Sequence, residues 1–259
     1  MIKALFFDID GTLVSFNTHK IPASAIEALT AAKARGIKIF ISTGRPYALI
    51  NNIGDIAHLV DGYITANGAY CFCGDTIISC TPISPADVTT LARKADEMNF
   101  SSIMVGTHNL SMYNPSPEAT GIFAELLDIN GIDALPLNQM ISQPILQLTP
   151  IITEEQEKEI LPLLENVTSS RWYPAFTDIT ARGVNKAKGL MEMASWFGFD
   201  ISETMAFGDG GNDIAIIEAA GTGIAMGNAG DNVKSVADYI TTSVDDNGIH
   251  NALRHFRVI

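Results

Sequence analysis

The stretch from residue 4 to residue 9, Ala-Leu-Phe-Phe-Asp-Ile, is apolar without alternation until it ends in acid, and Asp10 and Gly11 follow at once. A strand with one wet face alternates polar and apolar residues. A run like this one reads as a strand buried on both faces, the kind that belongs to a parallel sheet. Parallel neighbours need crossover connections, usually helical, and the following sequence supplies them. Residues 24–35 carry Ile26, Leu29 and Ala32 at helical spacing, and Gly36 provides a C-terminal stop. Residues 37–41 form a second buried run, Thr43-Gly44-Arg45-Pro46 is expected to start another helix, and residues 63–66 form a third short strand.

This rhythm breaks after Asn67. Residues 70–72 and 76–79 read as a hairpin around Gly74-Asp75, Thr81-Pro82 as a linker, and the next hundred residues alternate helices with paired short strands. The β/α alternation resumes with a helix over 186–197 and a strand over 204–207. The expected architecture is α/β: a doubly wound, Rossmann-like parallel sheet core over 1–81 and 182–259, with an inserted α+β domain over 82–181.

Composition narrows the function classes. The formal net charge of −13 argues against a nucleic-acid partner, which calls for clustered Lys and Arg, but leaves room for a small anion held by a cation and local donors. No apolar run approaches the ~20 residues of a membrane span, and the first residues do not read as a signal peptide, so a soluble cytoplasmic protein with no obligate protein partner is expected. Cys71, Cys73 and Cys80 fall in one segment with no nearby histidine, and read as reduced side chains rather than a disulfide framework or a zinc site.

Chemistry concentrates where strands end, the usual place for ligands in such sheets. Asp8-Ile9-Asp10-Gly11-Thr12 puts two carboxylates two residues apart at the end of the first strand. Carboxylates there need a cation or donors, and a hard cation such as magnesium suits them. Ser42-Thr43-Gly44-Arg45 follows the second strand with a hydroxyl, backbone amides and a guanidinium, a set that can grip phosphate; the plain alternative is a helix cap with Arg45 in solvent. Gly208-Asp209-Gly210-Gly211-Asn212-Asp213 packs two acids and an amide into a glycine turn. Lys186 stands at a helix start, awkward against the dipole unless an anion lies opposite, and Lys188 competes with it for that place. The five histidines are scattered outside these segments, and only His19 lies near one. Trp172 and Tyr173 read as core or as a sugar-facing surface, Asp178 as a residue that can face the site, and the acidic run 154–157 as a solvated helix N-terminus.

Taken in order, D-I-D-G-T, S-T-G-R, G-V-N-K and G-D-G-G-N-D resemble the four motifs of the haloacid dehalogenase-like hydrolase superfamily, and the insertion resembles the cap of its Cof-type sugar-phosphate phosphatase branch. Asn67-Gly68 and Met226-Gly227-Asn228-Ala229 also resemble segments of that branch. The resemblance implies a Mg2+-dependent phosphatase acting on a small phosphorylated metabolite, with sugar phosphates as the expected substrates. It implies that Asp8 attacks phosphorus, that Asp10 protonates the leaving oxygen and then activates water, and that Thr43 and Lys186 bind the transferring phosphoryl group. It implies a metal set of Asp8, Asp10 through its carbonyl, Asp209 and Asp213. Gly44, Arg45 and Asn212 are expected to bind substrate, Asn212 also supporting the metal site. Pyridoxal phosphate or nucleotide hydrolysis and phosphomutase chemistry share these motifs. A non-enzymatic phospho-acceptor domain would need neither Asp10 as acid nor a large cap.

Overall fold

The computed structural model describes residues 1–127 and 131–259, and at 126, 127 and 172 the backbone alone, so the expectation for the Trp172 side chain lies outside the described residues. The chain divides into two compact units, Met1–Ser79 with Asn185–Ile259, and Cys80–Val184. The first unit opens with β1 (Ala4–Phe7), α1 (Ala23–Ala34), β2 (Lys38–Ser42), β3 (Gly62–Thr65), β4 (Tyr70–Cys73) and β5 (Thr76–Cys80). The second contains α2 (Pro85–Met98), β6 (Ser102–Gly106), β7 (Leu110–Tyr113), α3 (Pro117–Leu127), α4 (Leu137–Met140), β8 (Ile145–Pro150), α5 (Glu154–Ile160), β9 (Val167–Tyr173) and β10 (Phe176–Ala181). The chain then returns to the first unit through α6 (Lys186–Phe197), β11 (Thr204–Gly208), α7 (Ile214–Ala219), β12 (Thr222–Ala225), α8 (Asp231–Lys234), β13 (Tyr239–Ile240) and α9 (Gly248–His255).

The core sheet runs β13-β12-β11-β1-β2-β3-β4-β5. Neighbours from β13 to β3 are parallel, and β4 turns back antiparallel on β3. β1 is buried on both faces, as its unbroken apolar run dictates. Leu5 and Phe7 pack with Leu29 of α1 and Leu253 of α9, while Ala4 and Phe6 pack with Leu190 of α6 and Ile216 of α7. Phe7 stacks on Phe207 and Phe6 on Phe40, which ties β1 to both parallel neighbours. From β1 the chain proceeds to β2 and β3 on one side, and later to β11, β12 and β13 on the other. The reversal falls between β1 and β11, and such a switch point opens a crevice at the carboxyl ends of those strands.

One connection differs from expectation. Pro46 does not start an α-helix; the chain makes short 3-10 turns at Tyr47–Leu49 and Gly54–Leu59 instead. The sequence between them holds Asn51 and Asn52 beside β-branched Ile50 and Ile53, and Gly54 follows, all poorer helix formers than alanine or leucine. The Leu49 carbonyl is moreover taken by the Arg45 guanidinium rather than by a helical amide.

In the second unit an antiparallel sheet runs β7-β6-β8-β10-β9. One face, with Met104, Leu148 and Ile179, packs on Val88, Leu91 and Ala95 of α2 and on Ile160 of α5. Gln147, Thr149, Asp178 and Thr180, on the other parity of β8 and β10, are buried polar residues. Ser84 caps α2 by accepting from the Asp87 amide. The acidic run 154–157 is the first turn of α5, closed by a capping box between Thr153 and Gln156. Among the described residues no helix is long and apolar enough to cross a membrane.

Candidate active site

The chain cannot leave β1 straight. The amides of Leu13 and Val14 both donate to the Ile9 carbonyl, and Gly11 sits at φ +85°. A Cβ at Gly11 would collide with the Asp209 carboxylate, so glycine is required both for the backbone conformation and for this close approach. The tight turn places Asp8 and Asp10 together at the switch point. Beside it, at the end of β11, the Asp213 carboxylate folds back on its own loop. Its Oδ2 accepts from the amides of Asp209 (3.1 Å) and Gly210 (2.9 Å).

Lys186, the first residue of α6, resolves its awkward position by reaching inward. Its ammonium is buried and donates to Asp8 Oδ1 (2.7 Å) and Asp213 Oδ1 (2.5 Å). Lys188 pairs instead with Glu192 along the helix. Asp8, Asp209 and Asp213 offer oxygens that lie within 4.8 Å of one another. Lys186 therefore pairs with two of the three carboxylates, and Asp209 beside them has no cation of its own among the described residues. Burial, Asp213, Asp209 and Asp10 push the Asp8 carboxyl well above the usual range, against the pull of Lys186. Burial and Asp213 push Asp209 up to about 7, against the Thr12 hydrogen bond. Lys186 is held firmly protonated, since Asp213 and Asp8 outweigh its burial. The centre is short of positive charge, and an all-oxygen set with this deficit fits a hard divalent cation. Asp8 and Asp209 would hold it with the least disturbance. Among the described residues Asp8 Oδ2 accepts from no donor and Asp209 accepts only from the neutral side chains of Thr12 and Asn228, whereas Asp213 accepts from the Lys186 ammonium and from two backbone amides.

Asp10 lies outside that carboxylate group. Arg45 grips it in a fork: Nε donates to Oδ2 (2.7 Å) and Nη2 to Oδ1 (2.8 Å), while Nη1 donates to the Leu49 carbonyl (3.0 Å). Arg45 is thus neither in solvent nor wholly open to a ligand, and it fixes the plane of the Asp10 carboxylate. Thr43 is buried, and its hydroxyl accepts from the Arg45 amide (3.0 Å), which tightens the turn after β2. Gly44 leaves room for the side-chain amides of Asn67 and Asn212, the nearest atoms a Cβ there would meet, at 3.1 to 3.3 Å. Asn212 donates to Asn67 Oδ1 (3.0 Å).

Thr12 and Asn228, like Asn67, join the site although the motif reading assigned them no task. Thr12 donates its hydroxyl to Asp209 Oδ1 (2.9 Å), and Asn228 donates to the Gly11 carbonyl (2.8 Å) while its Oδ1 accepts from the Val244 amide (2.9 Å). The signal for Thr12 lay in the first motif itself. Asn228 was marked by the resemblance of residues 226–229 to a segment of the Cof-type branch, which carried no role for its side chain. His19 is exposed, and Asp178, in the second unit, accepts from Gln147 (2.9 Å) and Thr149 (2.8 Å).

Residues 5–253 match the family model of the haloacid dehalogenase-like hydrolases. The 5-amino-6-(5-phospho-D-ribitylamino)uracil phosphatase YcsE of Bacillus subtilis (strain 168) is 29% identical over 98% of this chain and 96% of its own. Among solved structures, the sugar phosphatase BT4131 of HAD subclass IIB is 48% identical with a TM-score of 0.94, over 99% of this chain and 100% of that one. BT1666 of Bacteroides thetaiotaomicron, described among phosphatases of that superfamily, is 38% identical with a TM-score of 0.90, over 100% of this chain and 96% of that one.

Proposed function

The chain belongs to the haloacid dehalogenase-like hydrolase family and is a phosphatase of it, and on that premise we propose that it hydrolyses small phosphate monoesters, sugar phosphates foremost, with magnesium, through an aspartyl-phosphate on Asp8. The observation that carries the reading is the Asp8 carboxylate at the β1 end, held by a buried Lys186 and crowded by Asp209 and Asp213. Magnesium at Asp8 and Asp209, with the Asp10 carbonyl, would neutralise charge where an anionic nucleophile meets an anionic ester.

Each step then falls to a residue of this chain. An Asp8 oxygen bonds to phosphorus as the bond from phosphorus to the ester oxygen breaks, and Asp10, having left the Arg45 fork and taken up a proton from solvent, delivers that proton to the leaving oxygen. Asp10, now a carboxylate, takes a proton from water, whose oxygen attacks phosphorus and frees Asp8 and inorganic phosphate. Splitting one displacement into two lowers each barrier. Lys186 faces the charge on the transferring group, and Thr43 and Gly44 offer a hydroxyl and backbone amides to its oxygens. The sugar-phosphate preference is supported by the subclass IIB relative and by YcsE, whose named substrate carries its phosphate on a ribityl chain.

A panel of hexose and pentose phosphates, a nucleotide, pyridoxal phosphate and an aryl phosphate tests the reading. Phosphate release should be greatest for the sugar phosphates, vanish in excess chelator and return with magnesium. Undiminished release in chelator would remove the metal from the mechanism, and preference for the nucleotide or pyridoxal phosphate would reassign the substrate.

A further inference from the structure

Three consecutive residues, Ala66, Asn67 and Gly68, adopt left-handed backbone conformations, with φ of +49°, +54° and +97°. Such a run is costly for residues that carry a Cβ, and Ala66 is moreover wholly buried. Strain of this kind persists only where the surroundings over-determine it, and it collects at functional sites. The surroundings here are three of the four motif segments. The Asn67 amide donates to the Thr43 carbonyl (3.0 Å) and the Ala66 amide to the Arg45 carbonyl (3.1 Å). The Asn67 side chain lies over Gly44 and accepts from Asn212. Gly68 abuts the Asn185 carbonyl so closely that a Cβ would collide with it, and Asn185 caps the helix that begins with Lys186.

We propose that the turn Ala66–Gly68 is a positioning element for phosphoryl transfer, with the Asn67 side-chain amide registering the 43–45 loop against Asn212 while Gly68 sets the start of the helix that carries Lys186. The proposal rests on the phosphatase reading given above. The donors after β2, the lysine and the Gly-Asp turn come from separate stretches of chain, and a displacement of about 1 Å between them can cost about a hundredfold in rate. A left-handed run is what lets one short turn touch all three. An αR turn would carry Asn67 away from Gly44, and a larger residue at 68 would displace the α6 start.

Asn67→Gly separates the side chain from the backbone, since glycine accepts the left-handed conformation but lacks the amide. With the hydrolysed sugar phosphate, kcat should fall roughly 10- to 100-fold with KM within about threefold and the melting temperature nearly unchanged. In a cycle with Asn212→Ala, the double variant should be little worse than either single one, because the two amides act as a unit. Amide hydrogen exchange, which needs no substrate, should quicken within 43–46 and 209–213 and nowhere in the second unit. Wild-type kcat in Asn67→Gly, strictly multiplicative losses in the cycle, or unchanged exchange at both loops would each overturn the proposal. Should the wild-type enzyme release no phosphate from any ester while exchange changes as stated, the phosphatase reading falls and the registering turn stands.

Discussion

Both units bury carboxylates, and they do it in opposite ways. In the second unit Asp87 is enclosed by a full set of neutral donors: the Ser84 hydroxyl (2.9 Å) and the amides of Glu165 (2.9 Å) and Asn166 (3.3 Å). Its charge is dispersed and the group ties the start of α2 to a distant loop. In the core Asp8 and Asp213 divide a single ammonium, Asp209 stands beside them without one, and Asp8 and Asp209 are pushed toward protonation. The first arrangement stabilises the fold. The second concentrates a deficit of positive charge at one place, the kind of perturbed carboxylate group that collects at functional sites.

The sharpest way to break this comparison is at Asp8. Asp8→Asn should lower turnover by more than about 10⁴-fold and leave no phospho-adduct in intact-mass measurements after rapid quench. Its melting temperature should stay level or rise, since a crowded charge is removed. A phospho-adduct on this variant would assign the nucleophile elsewhere. Asp10→Asn should cost about 10²- to 10⁴-fold on sugar phosphates, whose leaving oxygen needs a proton. With an aryl phosphate the first step should survive and the phospho-enzyme accumulate, so sugar-phosphate turnover at the wild-type rate would refute the assigned role.

Asp87→Ala probes the opposite arrangement. Removing the carboxylate that joins Ser84 to the amides of Glu165 and Asn166, donors that water can reach, should lower unfolding free energy by about 1–2 kcal/mol in denaturant titration, with kcat within twofold of wild type. A large loss of kcat with full stability would erase the distinction between the two units. The smallest effect is expected at Asp61, on the core surface. Burial alone would raise its pKa, but hydrogen bonds from Lys33, Lys38 and the Ile39 amide hold it below the ordinary 3.8. A depressed carboxylate stabilises the fold above its unfolded pKa, and that contribution is lost as pH falls through the folded value. Asp61→Asn should therefore melt slightly below wild type at pH 7, by less than about 1 kcal/mol given solvent screening, and the gap should close on acidification below about pH 4. A gap that does not narrow as pH falls below the ordinary 3.8 would locate the effect in packing rather than charge.

Much of this was legible in the residues. The burial of β1 on both faces follows from Leu5, Phe6 and Phe7 standing side by side, and that alone calls for parallel neighbours and layers on both sides. Asp8, Lys186, Asp209 and Asp213 could be gathered because each stands where a strand ends or a helix begins, and the topology brings such ends together. The stretch after β2 was not legible: Pro46 suits a first helical turn, and nothing local announces that Arg45 will claim the Leu49 carbonyl. The same holds for Asn67. Asn-Gly signals a turn, yet which loops that turn will touch depends on β3 lying beside β2 and on α6, which begins more than a hundred residues later. Local patterns encode backbone tendencies, whereas contacts between distant loops arise only once the sheet has ordered them.

The pairing of β1 with β11 also sets a clock for synthesis. Thr12 and Asp209, joined by a hydrogen bond, are 197 residues apart. At ribosomal rates of about 5–20 residues per second, roughly 10–40 s separate the emergence of the two partners. Throughout that interval the first strand lacks β11 on one flank, and for most of it Asp8 remains without Lys186, which follows 178 residues later. The antiparallel unit in between, whose sheet pairs only strands of its own, can fold while the rest waits. The site is therefore incomplete by construction until the Gly-Asp turn at 208–213 has been made.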